Sequence, residues 1–234
     1  MREPRTLLCF GDSNTWGFDP VSGTRYPRAV RWPGVCAAAL GSAWHVVEAG
    51  LNGRTSVFED PLGDLAGVRH LGPVLASAAP VDVVAILLGT NDLKARFGAT
   101  AADIADGAGL LVERVLASRA GPSGRSPIVL LIAPPPVGDV ADAHATDPDE
   151  RAARVMVWRD ARERSLDFAR QFLRVARSRG VAFLDAGALV TSSAFDAVHW
   201  SPDGHAALGR AVARAITESL DTPEADACPS VRPC

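Results

Sequence analysis

Five short apolar segments constrain the fold of this chain more than any other feature of its sequence. They cover residues 6–10, 44–49, 81–88, 128–133 and 181–184, and the first four stop at a glycine or a proline. Apolar runs of this length without polar alternation are typical of strands that are buried on both faces. Such strands form a parallel sheet with helices on each side.

Helical segments separate these strands. Four helices are predicted, over residues 33–40, 101–118, 148–179 and 201–220. The third has Asp147 as its N-cap, acidic residues in its first turn and Gly180 at its end. Strands and helices in alternation predict an α/β fold, a three-layer, doubly wound domain around a five-stranded parallel sheet.

The chain is long enough to bury a substantial core, and it carries little net charge. It has 234 residues, of which 47% are hydrophobic and 22% charged, with a formal charge of -3. We therefore expect one domain over residues 1–220 and a disordered tail over residues 221–234, which has little to bury. The weak charge argues against nucleic acid or a membrane surface as a partner.

The cysteines and the N-terminal sequence are typical of a cytoplasmic protein. Cys9 and Cys36 are predicted to be core residues, and Cys228 and Cys234 to be reduced in the tail. No Cys/His spacing indicates a structural metal, and no cofactor is expected. The sequence shows no signal-peptide pattern and no apolar run of membrane-spanning length.

Polar loops follow the strands at the edge where open α/β sheets bind their ligands. Their sequences are GDSNT at 11–15, GLNG at 50–53, GTND at 89–92 and, before the last helix, DAVH at 196–199. Each of these is typical of an ordinary turn when taken alone. The functional prediction therefore depends on all four loops meeting at one edge.

Together the loops contain the groups that an acyl-transfer site needs. Ser13 can act as a nucleophile if a base takes its proton, and His199 has Asp196 just upstream to orient its imidazole. The side-chain amide of Asn91 and the backbone N–H groups of Ser13 and Gly53 can stabilise an oxyanion.

The remaining histidines and Asp12 are interpreted as structural. His45 lies in a strand pattern, His70 and His144 lie in polar or irregular stretches, and His205 lies about one turn into the last helix. Asp12 is adjacent to Ser13, so its side chain is expected to bond within its own turn.

The four loops resemble, in order and spacing, the sequence blocks of the SGNH (GDSL-type) hydrolase family. The resemblance covers about residues 5–220, and the segments GDSNTWG, DVVAILLGTNDLK and APPP are most similar to bacterial arylesterases and acyltransferases. It implies a flavodoxin-like sheet and two sets of residues: the catalytic Ser13, Asp196 and His199, and the oxyanion donors Ser13, Gly53 and Asn91. Gly50 is an alternative second donor, although the spacing of GLNGR favours Gly53.

The expected function is that of a serine esterase that cleaves short-chain aryl or alkyl esters, with water or an alcohol as acceptor. Four residues near the nucleophile and the base are predicted to contact the substrate: Asn14, Trp16, Phe18 and Trp200. Their rings favour short acyl groups. The segments 19–31 and 148–179 are longer than a minimal domain of this family requires, which predicts a narrowed entrance and a homo-oligomer.

Other interpretations of the same residues stay open. Carbohydrate deacetylation and the cleavage of lysophospholipids or thioesters would use the same catalytic set. A flavodoxin-like binding module suits the fold, but the first loop has few hydroxyl donors for a phosphate. An α/β-hydrolase would need a G-x-S-x-G motif, which is absent, and a metal-dependent hydrolase would depend on Asp12, Asp92 and His199 as ligands.

Overall fold

The computed structural model describes residues 3–144 and 147–221. Residues 222–234 of the predicted tail, with Cys228 and Cys234, lie outside the described residues. Within the described ranges, five parallel strands form one sheet that is flanked by helices on both faces. This arrangement confirms the predicted α/β class.

The strands follow a flavodoxin-like order. They are β1 (Arg5–Gly11), β2 (Trp44–Gly50), β3 (Val83–Leu87), β4 (Ile128–Ala133) and β5 (Ala182–Asp185). Their order in the sheet is β2-β1-β3-β4-β5, and every neighbouring pair is parallel. The winding reverses between β1 and β3, where sheets of this type bind their ligands. All five strands were predicted, with ends that differ by up to two residues.

Helices cover both faces of the sheet. In the described ranges they are α1 (Ser13–Trp16), α2 (Trp32–Leu40), α3 (Gly67–Ala78), α4 (Ala101–Ala117), α5 (Pro148–Val157), α6 (Ala161–Ser165), α7 (Phe168–Arg179) and α8 (Pro202–Asp221). Helices α2 and α8 pack on one face, and α3, α4 and α7 pack on the other. No helix of the described part is long and apolar enough to cross a membrane.

Strand β1 shows why both faces need a cover. Leu8 and Phe10 belong to the core on one side of the sheet, whereas Leu7 and Cys9 belong to the core on the other. Successive side chains of a strand point to opposite faces, so a single apolar run supplies both cores. Cys9 is buried and free, as is Cys36 in α2, which confirms the prediction for these two cysteines.

The prediction of one continuous helix over residues 148–179 is wrong. The segment forms α5, α6 and α7, and the left-handed conformation of Asp160, with φ of 58°, separates α5 from α6. The predicted start and end of the helical segment 148–179 are confirmed. Asp147 caps α5 by accepting a hydrogen bond from the N–H of Asp149 at 2.9 Å, and Gly180 ends α7 with φ of 62°.

Helix α3 was not predicted. It contains Gly72 and Pro73, which both lower intrinsic helix propensity. Leu71 and Leu75 of this helix are buried in the core beside β1. The burial of these leucines stabilises a helix that local propensity disfavours.

The register of the sheet brings the carboxyl ends of its central strands together. Gly11 at the end of β1 is level with Gly50 of β2 and with Leu87 of β3. The loops that leave these three strands therefore begin at the same edge.

Candidate active site

Ser13 is held at the sheet edge by a tight connection between β1 and α1. Asp12 caps the helix, since its side chain accepts a hydrogen bond from the N–H of Asn14 at 2.9 Å. A Cβ on Gly11 would lie 2.1 Å from Oγ1 of Thr15, so the close turn requires glycine. Ser13 is the first residue of α1 and is 7% exposed. Asp12 thus bonds within its own turn, as expected.

Asp196 and His199 lie on one turn that precedes α8. Oδ1 of Asp196 accepts hydrogen bonds from the N–H groups of Val198 at 3.0 Å and His199 at 2.9 Å, while Oδ2 lies 2.5 Å from Nδ1 of His199. Ala197 has φ of 65°, and its carbonyl accepts a hydrogen bond from the N–H of Gly138 at 2.7 Å. Both carboxylate oxygens are therefore occupied, and the imidazole is held in one orientation.

The fold brings the nucleophile candidate and the base candidate into contact. Nε2 of His199 lies 2.9 Å from Oγ of Ser13, although 186 positions separate them in the sequence. Burial raises the pKa of Asp196, but hydrogen bonds from His199 and from backbone N–H groups outweigh burial and hold that pKa below its ordinary value. An ionised Asp196 favours the tautomer with a proton on Nδ1, which leaves Nε2 free to accept the proton of Ser13.

The loops after β2 and β3 meet at Asn91. Its Nδ2 donates a hydrogen bond to the carbonyl of Arg54 at 3.1 Å, which engages one amide proton and leaves the other available. Gly53 precedes Arg54 and has φ of 81°. Within residues 3–144 and 147–221, the N–H groups of Ser13 and Gly53 have no protein acceptor. Three hydrogen-bond donors are thus available for a developing negative charge.

Gly50 has a packing role that Gly53 does not share. It is the last residue of β2, and a Cβ there would lie 2.1 Å from the backbone N of Trp16 in α1. Only glycine lets α1 approach β2 so closely. This contact explains why residue 50 is a glycine, and it favours Gly53 as the oxyanion donor in the second loop.

Two further carboxylates, in the loops after β1 and β3, are buried. Asp12 is 2% exposed and Asp92 is 0% exposed. Burial raises the pKa of each to about 6, although hydrogen bonds from Asn14 to Asp12 and from Ser56 to Asp92 act in the opposite direction. Asp92 accepts hydrogen bonds from the N–H and the hydroxyl of Ser56, so it ties the third loop to the second. The described residues contain no group of three or more potential metal-binding side chains.

A cavity of about 350 Å³ opens beside His199. Three aromatic residues contribute to its wall: Phe18, Trp158 and Phe195. The ring centroid of Phe18 lies 4.4 Å from that of His199. The polar part of the wall includes Glu150 and Arg154, which form an ion pair at 2.9 Å. The cavity therefore combines aromatic surfaces with hydrogen-bonding groups next to the base.

The residues predicted to contact the substrate lie in different surroundings. Phe18 lines the cavity, whereas the half-buried ring of Trp16 lies under the guanidinium of Arg25 at 5.0 Å. The prediction for Trp200 is wrong, because its side chain is 0% exposed and packs in the core beside α2 and α8. Asn14 is 1% exposed, and a substrate contact from it stays a prediction.

Sequence reasoning missed Glu150, Arg154, Trp158 and Phe195. Glu150 and Arg154 are recognisable as an oppositely charged i,i+4 pair, but such pairs occur on many exposed helices and do not indicate a site. Trp158 and Phe195 come from segments that are distant in the sequence. Only the fold brings them to the same cavity.

His205 packs and bonds locally, as expected of a structural residue. It is 0% exposed, and its Nδ1 accepts a hydrogen bond from the N–H of Trp32 at 3.4 Å. Burial, together with the charges of His199 and Arg31, lowers the pKa of His205 to about 4. His45 is exposed, and Nε2 of His70 lies 3.4 Å from Asp64.

Comparison with protein families shows which family the chain belongs to. The model of the GDSL-like lipase/acylhydrolase family matches residues 9–207. The chain belongs to the GDSL-like lipase/acylhydrolase family. Membership confirms the resemblance to SGNH (GDSL-type) hydrolases.

Solved structures of several esterases share the fold over nearly the whole chain. A carbohydrate acetylesterase from Sinorhizobium meliloti is 37% identical with a TM-score of 0.83, and the aryl esterase of M. smegmatis is 36% identical with a TM-score of 0.82. A second carbohydrate acetylesterase family member from Sinorhizobium meliloti is 32% identical with a TM-score of 0.84. Each match covers 92% of this chain and 99% of the other. A search of curated protein sequences found no match.

Proposed function

We propose that this GDSL-like hydrolase is a serine esterase that cleaves short-chain esters through an acyl-enzyme on Ser13. The supporting observation is the continuous line of contacts from Oγ of Ser13 through His199 to Asp196, at 2.9 Å and 2.5 Å. In the first step Oγ attacks the carbonyl carbon of the ester while its proton passes to Nε2 of His199. Asp196 stabilises the imidazolium that forms.

The oxyanion is stabilised by the N–H groups of Ser13 and Gly53 and by Nδ2 of Asn91. Collapse of the tetrahedral intermediate breaks the ester bond, and the leaving alcohol takes the proton from His199. Water then loses a proton to His199, attacks the acyl carbon and releases the carboxylic acid, while Ser13 recovers its proton. An alcohol in place of water gives transfer of the acyl group.

Loss of the Asn91 amide tests the oxyanion assignment. The variant Asn91→Ala is expected to lower kcat by about 10²- to 10³-fold with a much smaller change in KM, because the amide stabilises the intermediate more than the bound ester. Steady-state hydrolysis of p-nitrophenyl acetate measures both constants. Asn52→Ala, which changes an exposed residue of the second loop, serves as the control. A change mainly in KM would instead make Asn91 a substrate-binding residue.

The cavity beside His199 predicts a preference for short acyl groups. About 350 Å³ is near the lower end of the range for ligand sites, and Phe18, Trp158 and Phe195 restrict it. A series of p-nitrophenyl esters from acetate to dodecanoate should therefore give the highest kcat/KM at acetate or butyrate. Faster turnover of octanoate or longer esters would contradict the restricted cavity.

A matched pair of tryptophan variants tests whether Trp158 limits the length of the acyl group. Trp158→Ala should move the preferred acyl length upward, since it enlarges the cavity. Trp44→Ala, which changes a half-buried tryptophan at the start of β2, should leave the preference unchanged.

A second candidate is the deacetylation of carbohydrates. The ion pair of Glu150 and Arg154 on the cavity wall offers an acceptor and donors for sugar hydroxyls, and two of the similar structures are described as carbohydrate acetylesterases. Acetate release from acetylated monosaccharides, compared with hydrolysis of aryl acetates, distinguishes carbohydrate deacetylation from the cleavage of simple esters. A higher kcat/KM for acetylated sugars than for aryl acetates, lost in Glu150→Ala, would favour deacetylation.

A further inference from the structure

Arg54 is a buried, charged residue for which the proposed reaction has no direct use. It lies in the loop after β2 and is 5% exposed. Its Nη1 donates hydrogen bonds to the carbonyls of Gly11 at 2.7 Å and Ala49 at 2.5 Å, and its guanidinium lies 4.3 Å from the ring centroid of Phe10. Burial of a charge is unfavourable unless such bonds compensate for it. The side chain of Arg54 thus joins the carboxyl ends of β1 and β2.

The backbone of Arg54 makes a second set of contacts. Its N–H donates to the carbonyl of Leu51 at 3.1 Å, which closes the turn that contains Gly53. Its carbonyl accepts the hydrogen bond from Nδ2 of Asn91 at 3.1 Å. Arg54 therefore contacts the side chain of Asn91 and directly follows Gly53 in the chain, and both of these residues are proposed oxyanion donors.

We infer that Arg54 is a positioning residue for the oxyanion hole, an inference that rests on the function proposed above. Its guanidinium fixes the second loop against the strand that leads to Ser13, and its carbonyl orients the amide of Asn91. Donors accelerate acyl transfer only when they are aimed in advance at the charge that develops.

A role in charge balance alone makes a different prediction. Arg54 lies near the buried Asp12 and lowers its pKa. Lysine keeps the positive charge but lacks the planar fork of donors. Arg54→Lys therefore separates the two roles, because this variant should keep the wild-type activity only if Arg54 contributes nothing but its positive charge.

The decisive experiment is a double-mutant cycle on p-nitrophenyl acetate hydrolysis. We expect Arg54→Lys to lower kcat about 10- to 100-fold with KM changed less than about threefold, and Asn91→Ala in that background to cost no more than about tenfold. The affinity for phenylboronic acid, which forms a tetrahedral adduct with an active serine, should fall in parallel with kcat. Arg179→Lys is the control, since Arg179 also donates to a backbone carbonyl, that of Gly109, but between α7 and α4.

Normal kcat in Arg54→Lys, or losses that multiply fully in the double variant, would overturn the inference. If Arg54→Lys does not fold, the amide protons of Asn91 in the wild-type protein provide the test by NMR. One should exchange slowly because it is bonded to Arg54, and equal, fast exchange of both would overturn the inference. The proposed function fails separately, if Ser13→Ala keeps its activity.

Discussion

Replacement of Ser13 by alanine is expected to lower kcat for p-nitrophenyl acetate by about 10⁴- to 10⁶-fold, because the catalytic groups act as a unit that fails without its nucleophile. The hydroxyl of Ser13 is the group within 2.9 Å of Nε2 of His199. Without it no acyl-enzyme forms, and the remaining donors can assist only direct attack by water. The free energy of unfolding should change little, because the substitution removes one oxygen atom at the sheet edge.

Covalent labelling provides an independent measurement. A fluorophosphonate probe should modify the wild-type protein at Ser13 alone, since only an activated serine attacks phosphorus at a useful rate. Ser77→Ala is a suitable control, because Ser77 is exposed in α3 and its hydroxyl donates to the carbonyl of Pro73. Its labelling and turnover should equal those of the wild type. Modification at another serine, with activity retained in Ser13→Ala, would end the proposed mechanism.

Loss of His199 should be nearly as damaging as loss of Ser13. We expect His199→Ala to lower kcat by about 10⁴- to 10⁶-fold and Asp196→Asn by a smaller factor of about 10³ to 10⁴. The asparagine keeps an oxygen for the N–H groups of Val198 and His199 but places an amide donor against Nδ1. That donor favours the tautomer with a proton on Nε2, which cannot accept the proton of Ser13.

Nonadditivity distinguishes a catalytic unit from independent contributions. Ser13→Ala combined with His199→Ala should be no slower than Ser13→Ala alone, because the base has no function without the nucleophile. His205→Gln serves as the histidine control and should keep kcat within about threefold, even if thermal stability falls. Loss of activity in His205→Gln, with activity retained in His199→Ala, would identify His205 as the base instead of His199.

The sequence predicted the parts of the site that depend on strand ends. Ser13, Gly53 and Asn91 each follow an apolar run that stops at or near a glycine, and parallel strands bring such ends to one edge. Asp196 and His199 could also be predicted as a pair, because their contact is local. The link between this pair and Ser13 depended on the expectation that all four loops open at one edge of the sheet, which the resemblance to a family supported.

The cavity could not be predicted in the same way. Trp200 follows the base directly, yet its ring lies in the core, since the turn at 196–199 leads straight into α8 and the next side chain points inward. Trp158 lies at the end of α5, where the helix predicted over residues 148–179 is interrupted. The role of Arg54 could not be predicted from the sequence. Its hydrogen-bond acceptors are backbone carbonyls, which every residue type has.

The separation of the catalytic groups along the chain has a consequence for protein synthesis. The proposed nucleophile is synthesised 186 positions before its base. The acid and the base arrive together on one turn, and α8 must then dock against α2 to hold that turn beside β1. A nascent chain that ends before residue 196 thus carries a serine without a base. Ester cleavage should begin only once residues 196–199 have been synthesised and α8 has docked, so chains shorter than this should not cleave esters.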